Sequence, residues 1–214
     1  MDDVRSNAGI EQRGSPRFSL VIRTAKLICQ SGEYPCVVRD VSATGTRVRL
    51  FHVLPPDSHV ALELANGERY AMERVWQTGD SAGFRFAAPI DVEDFIEEPA
   101  RHPRRPIRVS LKRPALITAG GRDGNALLVN LSQQGACIEV GTPIAIGQQV
   151  RLEVAGLPLR FGHVRWRRGF AHGLVFQQGF RLDEFARHCH ALQPYDQAAT
   201  PPRSLWGMGK ARRV

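Results

Sequence analysis

From Arg17 onward the apolar residues of this chain fall into short runs, interrupted every few positions by Gly, Pro, Asn or Asp. That pattern predicts strands joined by turns rather than long helices. Phe18 to Cys29 and Tyr34 to Arg39 form the first two strand regions. Asp40 to Gly45 is expected to be a turn. Thr46-Arg-Val-Arg-Leu50 and Val60 to Leu64 alternate polar and apolar residues, as half-buried strands do. Val53 to Asp57 reads as a loop, and Asn66-Gly67 as a hairpin turn that pairs the Val60 strand with Tyr70 to Trp76. Gly83 to Phe86 is a further strand. Asp91 to Glu98 carries acids near its start and apolar Val92, Phe95 and Ile96 at helical spacing, which predicts a short helix.

The second half repeats this order. Arg17-Phe-Ser-Leu20 matches Arg108-Val-Ser-Leu111 at an offset of 91 residues. Asp40, Ser42, Gly45, Trp76, Gly83 and Phe86 match Asn130, Ser132, Gly135, Trp166, Gly173 and Phe176 at an offset of 90. So many matches in one register imply a duplicated domain, with a period too long for a solenoid. A unit of about six strands followed by one helix closes most economically as a small barrel, because closure removes exposed sheet edges. The expected fold is therefore all-β with small α additions. It comprises two tandem six-stranded antiparallel barrels over residues 12–98 and 99–193, each followed by a short capping helix, at 91–98 and about 182–192. Residues 1–11 and the basic tail 194–214 are expected to be flexible. Alternation places Val164 and Trp166 on one face of their strand, and both Trp76 and Trp166 are expected to pack in the cores.

With 43% hydrophobic residues the chain can build cores, and 214 residues suffice for two domains of about 100 each. No apolar run approaches the roughly 18 residues of a membrane span, and the N-terminus lacks a secretory pattern, so a cytoplasmic location is expected. Cys29, Cys36, Cys137 and Cys189 form no CxxC pair and read as buried, reduced thiols. His188-Cys-His190 is the only close group of ligand-type residues. Neighbours at i and i+2 of a helix point in different directions, so no metal site is expected. The net charge of +8 is uneven. Residues 1–98 hold 11 Lys+Arg against 15 Asp+Glu, whereas residues 99–214 hold 18 against 6. A strongly basic half implies an anionic ligand for that half.

Arginines four apart precede each barrel: Arg13/Arg17, and Arg104/Arg108 in the stretch Arg101-His-Pro-Arg-Arg-Pro-Ile-Arg108. Arg101/Arg105 is a competing pair; Arg104/Arg108 is preferred because it aligns Arg108-Val-Ser-Leu with Arg17-Phe-Ser-Leu. Prolines 16, 103 and 106 oppose helix there, so the arginines project from extended segments. A guanidinium fork binds two acceptors of a phosphate or of the guanine Hoogsteen edge, and its flat face stacks on a base. Asp40 accepts from the N–H groups of a guanine, whereas Asn130 both accepts and donates. Ser42 and Ser132 alternate with them on the same strand face. Gly45 and Gly135 are expected to supply a positive-φ turn and room for a ligand to approach.

Arg13-Gly-Ser-Pro-Arg17 with Asp40-Val-Ser-Ala-Thr-Gly45, and Arg104-Arg-Pro-Ile-Arg108 with Asn130-Leu-Ser-Gln-Gln-Gly135, resemble the RxxxR and [DN]xSxxG signature of PilZ domains. The resemblance covers about residues 12–98 and 99–193. It implies a bacterial receptor for the second messenger cyclic di-GMP, without catalytic activity. The implied ligand-binding residues are Arg13, Arg17, Asp40, Ser42 and Gly45 in the first barrel. Those in the second are Arg104, Arg105, Arg108, Asn130, Ser132 and Gly135. The second RxxxR lies in the junction between barrels, so ligand is expected to order that segment and reorient the barrels, acting on a downstream protein partner that is unidentified. The competing reading is a protein-interaction module in which one or both barrels bind no nucleotide. A third is non-specific nucleic-acid binding by the strip Arg165-Trp-Arg-Arg168; specific nucleic-acid binding is not expected. No nucleophile elbow, phosphate-binding glycine loop or metal motif is present in the sequence, so neither catalysis nor a cofactor is expected.

Overall fold

The computed structural model describes residues 18–97 and 105–193, with only the backbone described for 18–22. Residues 1–17, 98–104 and 194–214, and with them Arg13, Arg17, Arg101 and Arg104, lie outside the described residues. The first unit contains β1 (Phe18–Cys29), β2 (Gly32–Ser42), β3 (Gly45–Arg49), β4 (His59–Glu63), β5 (Arg69–Thr78), β6 (Ser81–Phe86) and α1 (Val92–Glu97). The second contains β7 (Arg108–Ala119), β8 (Arg122–Ser132), β9 (Gly135–Val140), β10 (Gln149–Val154), β11 (Arg160–Arg168), β12 (Ala171–Phe176) and α2 (Leu182–Ala191). Each set of strands closes into a six-stranded antiparallel barrel, in the orders β1-β2-β3-β6-β5-β4 and β7-β8-β9-β12-β11-β10.

Alternation drives closure. In β3 and β4 every second residue is buried, including Val48, Val60 and Leu62, so one face of each sheet is apolar and turns inward. Asn66-Gly67 makes the predicted hairpin, with Gly67 at φ 88 and its amide donating to the Leu64 carbonyl at 3.0 Å. Phe95 of α1 is fully buried and packs against Tyr70 and Phe86, plugging one barrel. Phe185 and Cys189 of α2 plug the other. The opposite face of α2 reaches the first barrel, where His190 stacks on His52 with ring centroids 4.1 Å apart.

Both barrels break register at matching places. The ladder shifts between Val38 and Asp40, and between Arg74 and Trp76, in the first barrel; it shifts between Leu128 and Asn130, and between Val164 and Trp166, in the second. A bulge inserts one residue and turns the following side chain to the other face. The expectation that Val164 and Trp166 share a face therefore fails: Val164 is buried, whereas Trp166 points outward and is 39% exposed. Trp76 is likewise 42% exposed. Neither tryptophan is a core residue.

The turn expected over Asp40–Gly45 is also narrower. Asp40 to Ser42 complete β2, and only Ala43-Thr44 turns; Gln133-Gln134 does the same in the second barrel.

Candidate functional site

The paired bulges build a row of outward-facing residues across four neighbouring strands. In the second barrel, cross-strand partners run Asn130 (β8), Cys137 (β9), Gly173 (β12), Trp166 (β11). Strands lie about 4.8 Å apart, so this row spans about 14 Å of barrel surface. Gly173 is what lets the indole lie flat: a Cβ there would stand 2.0 Å from the Trp166 Nε1. One ring face covers the glycine and the other is open. Two residues along, Arg108 pairs with Ser132 and Ser132 with Gly135. These residues, together with Pro106 and Arg165, line a depression of 210 Å³. It offers two arginines, the amides of Asn130 and Gln134 and a flat aromatic face, and no acid stands among its described lining residues.

The first barrel repeats the row as Asp40, Arg47, Gly83, Trp76, with a Cβ at Gly83 falling 2.2 Å from the Trp76 Nε1. Its chemistry differs. Where the second barrel has Asn130 beside Cys137, the first has Asp40 and Arg47 in an ion pair of 2.5 Å. Arg85 is held by Glu73 at 2.6 Å, and that guanidinium keeps the Glu73 carboxyl below the usual range. Val75 stands where Arg165 stands in the second barrel. The wider depression of 670 Å³ is thus lined by cations already engaged with acids.

The serines and glycines have roles that spacing alone did not give. Ser42 Oγ donates to the Gly45 carbonyl at 3.2 Å, and Ser132 Oγ to the Gly135 carbonyl at 3.1 Å, so each hydroxyl ties its own hairpin while lining the depression. Gly45 and Gly135 do not take the positive φ expected of them. They are glycines because the neighbouring strand is close: a Cβ would lie 2.6 Å from the Phe84 carbonyl oxygen, or 2.1 Å from that of Leu174.

Cys137, expected to be buried, is half-buried in the row beside Asn130, and its thiol is pushed up chiefly by burial. Cys29, with its pKa raised to about 12, and Cys36 and Cys189 are buried as expected. His188 and His190 diverge, the first against Phe180 and the second against His52.

Of the second arginine motif, Arg108 opens β7 at the depression. Arg105 instead lines a separate cleft of 460 Å³ between the barrels, beside Lys26 and Glu63, and its amide donates to the Ala65 carbonyl at 3.3 Å. Arg165, read in the sequence only as part of a basic–aromatic strip, lines the same depression as the motif residues, and the outward orientation of Trp166 is a feature that alternation did not give. The match of Trp76-to-Gly83 spacing with Trp166-to-Gly173 was a signal for that pairing.

Among solved structures, the chain is similar to PlzA of Borreliella burgdorferi in complex with c-di-GMP, at 12% identity over 83% of this chain and 94% of that one, with a TM-score of 0.31. It is similar to the inhibitor of motility MotI/DgrA of Bacillus subtilis, at 14% identity over 80% and 96%, with a TM-score of 0.35. It is also similar to YcgR of Escherichia coli in complex with c-di-GMP, at 12% identity over 72% and 75%, with a TM-score of 0.26. No curated protein matches the chain. The PilZ domain family matches residues 11–102 and again 98–189. The chain belongs to the PilZ domain family and carries two of its domains in tandem.

Proposed function

We propose that this protein is a receptor for cyclic di-GMP, with its principal site on the outer face of the second barrel. The observation that carries the reading is the row Asn130–Cys137–Gly173–Trp166, flanked by Arg108 and Arg165 in a depression with no acid among its described lining residues. A guanine stacks on the open face of Trp166, an interaction worth about 1–3 kcal/mol per base. Arg108 forks onto a phosphate or the Hoogsteen edge, with Arg104 of the same RxxxR motif closing from the junction. Asn130 pairs with a base edge. Ser132 and Gly135 hold the hairpin that presents them. The two PilZ domains, in a family whose members are cyclic di-GMP effectors, support this ligand class.

The first barrel is the weaker site. Arg13, Arg17, Asp40, Ser42 and Gly45 supply its motif, but a ligand there must displace the Asp40–Arg47 and Glu73–Arg85 pairs to recruit those arginines. This is the observation that favours the alternative, in which one barrel binds no nucleotide and serves as an interaction surface. Ligand gripping the junction orders it and shifts the barrels toward their docked arrangement, and the altered surface is what a downstream protein senses. Calorimetric titration of cyclic di-GMP into the full chain, and into Arg108→Ala and Trp166→Ala variants, tests the reading. Saturable binding that both changes weaken supports it; equal affinity in all three removes the site from the second barrel.

A further inference from the structure

The two barrels meet through side chains that complete each other's open strand edges. β10 pairs with β7 only from Ala115 to Ala119, so the stretch Arg108–Ser110 has no strand on that side. Its Arg108 carbonyl and Ser110 amide lie two residues apart, on the same edge of the strand. Both are taken by barrel 1. The Lys26 ammonium donates to the Arg108 carbonyl at 2.9 Å, and the Ser110 amide donates to Glu33 Oε2 at 2.8 Å.

In the other direction, Gln193, just after α2, caps the edge of β2. The Glu33 amide donates to Gln193 Oε1 at 2.8 Å, and Gln193 Nε2 donates to the Glu33 carbonyl at 2.9 Å. Gly32, at φ 151, makes room for it: a Cβ there would stand 2.3 Å from Gln193 Oε1.

Lys26 is the centre of this arrangement. Its three N–H donors have three acceptors: the Arg108 carbonyl, Glu33 Oε2 at 2.9 Å and Glu63 Oε1 at 3.0 Å. The side chains of Lys26, Glu33 and Glu63 are only 7%, 17% and 16% exposed, and Arg69 balances Glu63 at 2.6 Å. A cation with every donor used in a sheltered site fixes its acceptors tightly, and removing one member leaves sheltered charge unpaired. The acceptor it fixes on β7 is the peptide of Arg108. Arg108 pairs across the ladder with Ser132, and Ser110 with Asn130. Barrel 1 thus grips the backbone of the segment on which the site of barrel 2 is built.

We propose that Lys26 and Glu33 of barrel 1 are positioning residues for the ligand site of barrel 2, holding Arg108 and Ser110 so that ligand binding and barrel docking strengthen each other. The inference rests on the receptor reading and adds residues outside either motif. By linkage, whatever docking does for ligand affinity, ligand does for docking.

The test uses the full chain and cyclic di-GMP, with calorimetry for affinity and hydrogen exchange of residues 26–36 with and without ligand. In the wild type, ligand slows exchange in this segment of barrel 1 although it sits on barrel 2. Lys26→Met is expected to weaken binding about 5- to 150-fold, the usual range of coupling between sites, and to abolish the slowing. Lys26→Arg, which keeps the charge and several donors, retains more affinity than Lys26→Met. Glu33→Gln preserves shape and avoids stranding two carboxylates, so it gives the same readouts if Lys26→Met does not fold. A folded Lys26→Met or Glu33→Gln chain with wild-type affinity and wild-type slowing overturns the inference and leaves the receptor reading standing. A wild-type chain that binds no cyclic di-GMP overturns both.

Discussion

Trp166→Ala separates a binding surface from a core. A tryptophan that fills a barrel interior costs about 3–5 kcal/mol when truncated to alanine. Trp166 instead lies outside the barrel, on Gly173, with 39% of its surface open. Removing it takes one layer of contacts from the glycine backbone and leaves no internal cavity, which places the stability loss near 1 kcal/mol, an ordinary surface-to-intermediate value. For a domain of this size that lowers the melting temperature by about 4–8 °C. Ligand affinity loses the stacking of one base, about 1–3 kcal/mol, or roughly 5- to 150-fold. The assay is a melting curve beside a calorimetric titration of cyclic di-GMP on the same protein. Gly173→Ala is the companion change: its Cβ would meet the Trp166 Nε1 at 2.0 Å and tilt the ring without deleting it, so affinity falls again. A melting temperature lowered by more than about 15 °C, with affinity unchanged, would refute the argument and return Trp166 to a packing role.

Three further outcomes follow from the geometry. Gly135→Ala brings a Cβ within 2.1 Å of the Leu174 carbonyl, so denaturant unfolding should show a loss of about 1–3 kcal/mol from forced backbone movement. Giving the first barrel the residues of the second, as Asp40→Asn with Arg47→Cys and Val75→Arg, should raise its affinity about tenfold, matching the ~1.5 kcal/mol of one charge-assisted hydrogen bond; the stoichiometry of titration reports it. Burial pushes the pKa of His52 down to about 4, with the stacked His190 a smaller contributor, so the neutral ring is favoured in the folded chain. A lowered pKa means the unfolded chain binds more protons between the ordinary value near 6.5 and 4, so stability is full above that window and falls as pH drops through it. Discounted for the partial exposure of the ring, the loss is about 1–2 kcal/mol. Melting curves across that range should show it, and His52→Phe should flatten it.

Much of the fold was legible because alternation and turn residues act locally. β3, β4, the Asn66-Gly67 hairpin and both helices lie where their own residues dictate. The duplication was legible because the Trp, Gly and Phe positions recur at one offset. The outward face of Trp166 was hidden by the bulge after Val164, a one-residue event that simple alternation does not register. The requirement for glycine at 45 and 135 was hidden too, since it comes from carbonyls about 40 residues further along the chain. The barrel–barrel contacts of Lys26, Glu33, His52, His190 and Gln193 join residues 77 to 160 positions apart and carry no local pattern. The candidate site is a mixture: Asn130, Ser132 and Gly135 were singled out by motif, whereas the place of Arg165 at the depression and of Arg47 as the neutralising partner of Asp40 came from the folded arrangement of the strands.

The central claim is that the second barrel presents a specific site for cyclic di-GMP. Its most direct test is calorimetric titration of the full wild-type chain with cyclic di-GMP, repeated with cyclic di-AMP and with the Arg108→Ala/Asn130→Ala variant. The account predicts saturable binding of cyclic di-GMP, none of comparable strength for cyclic di-AMP, and loss of binding to the second barrel in the variant. Equal binding of both dinucleotides, or a variant titration identical to that of the wild type, would contradict it.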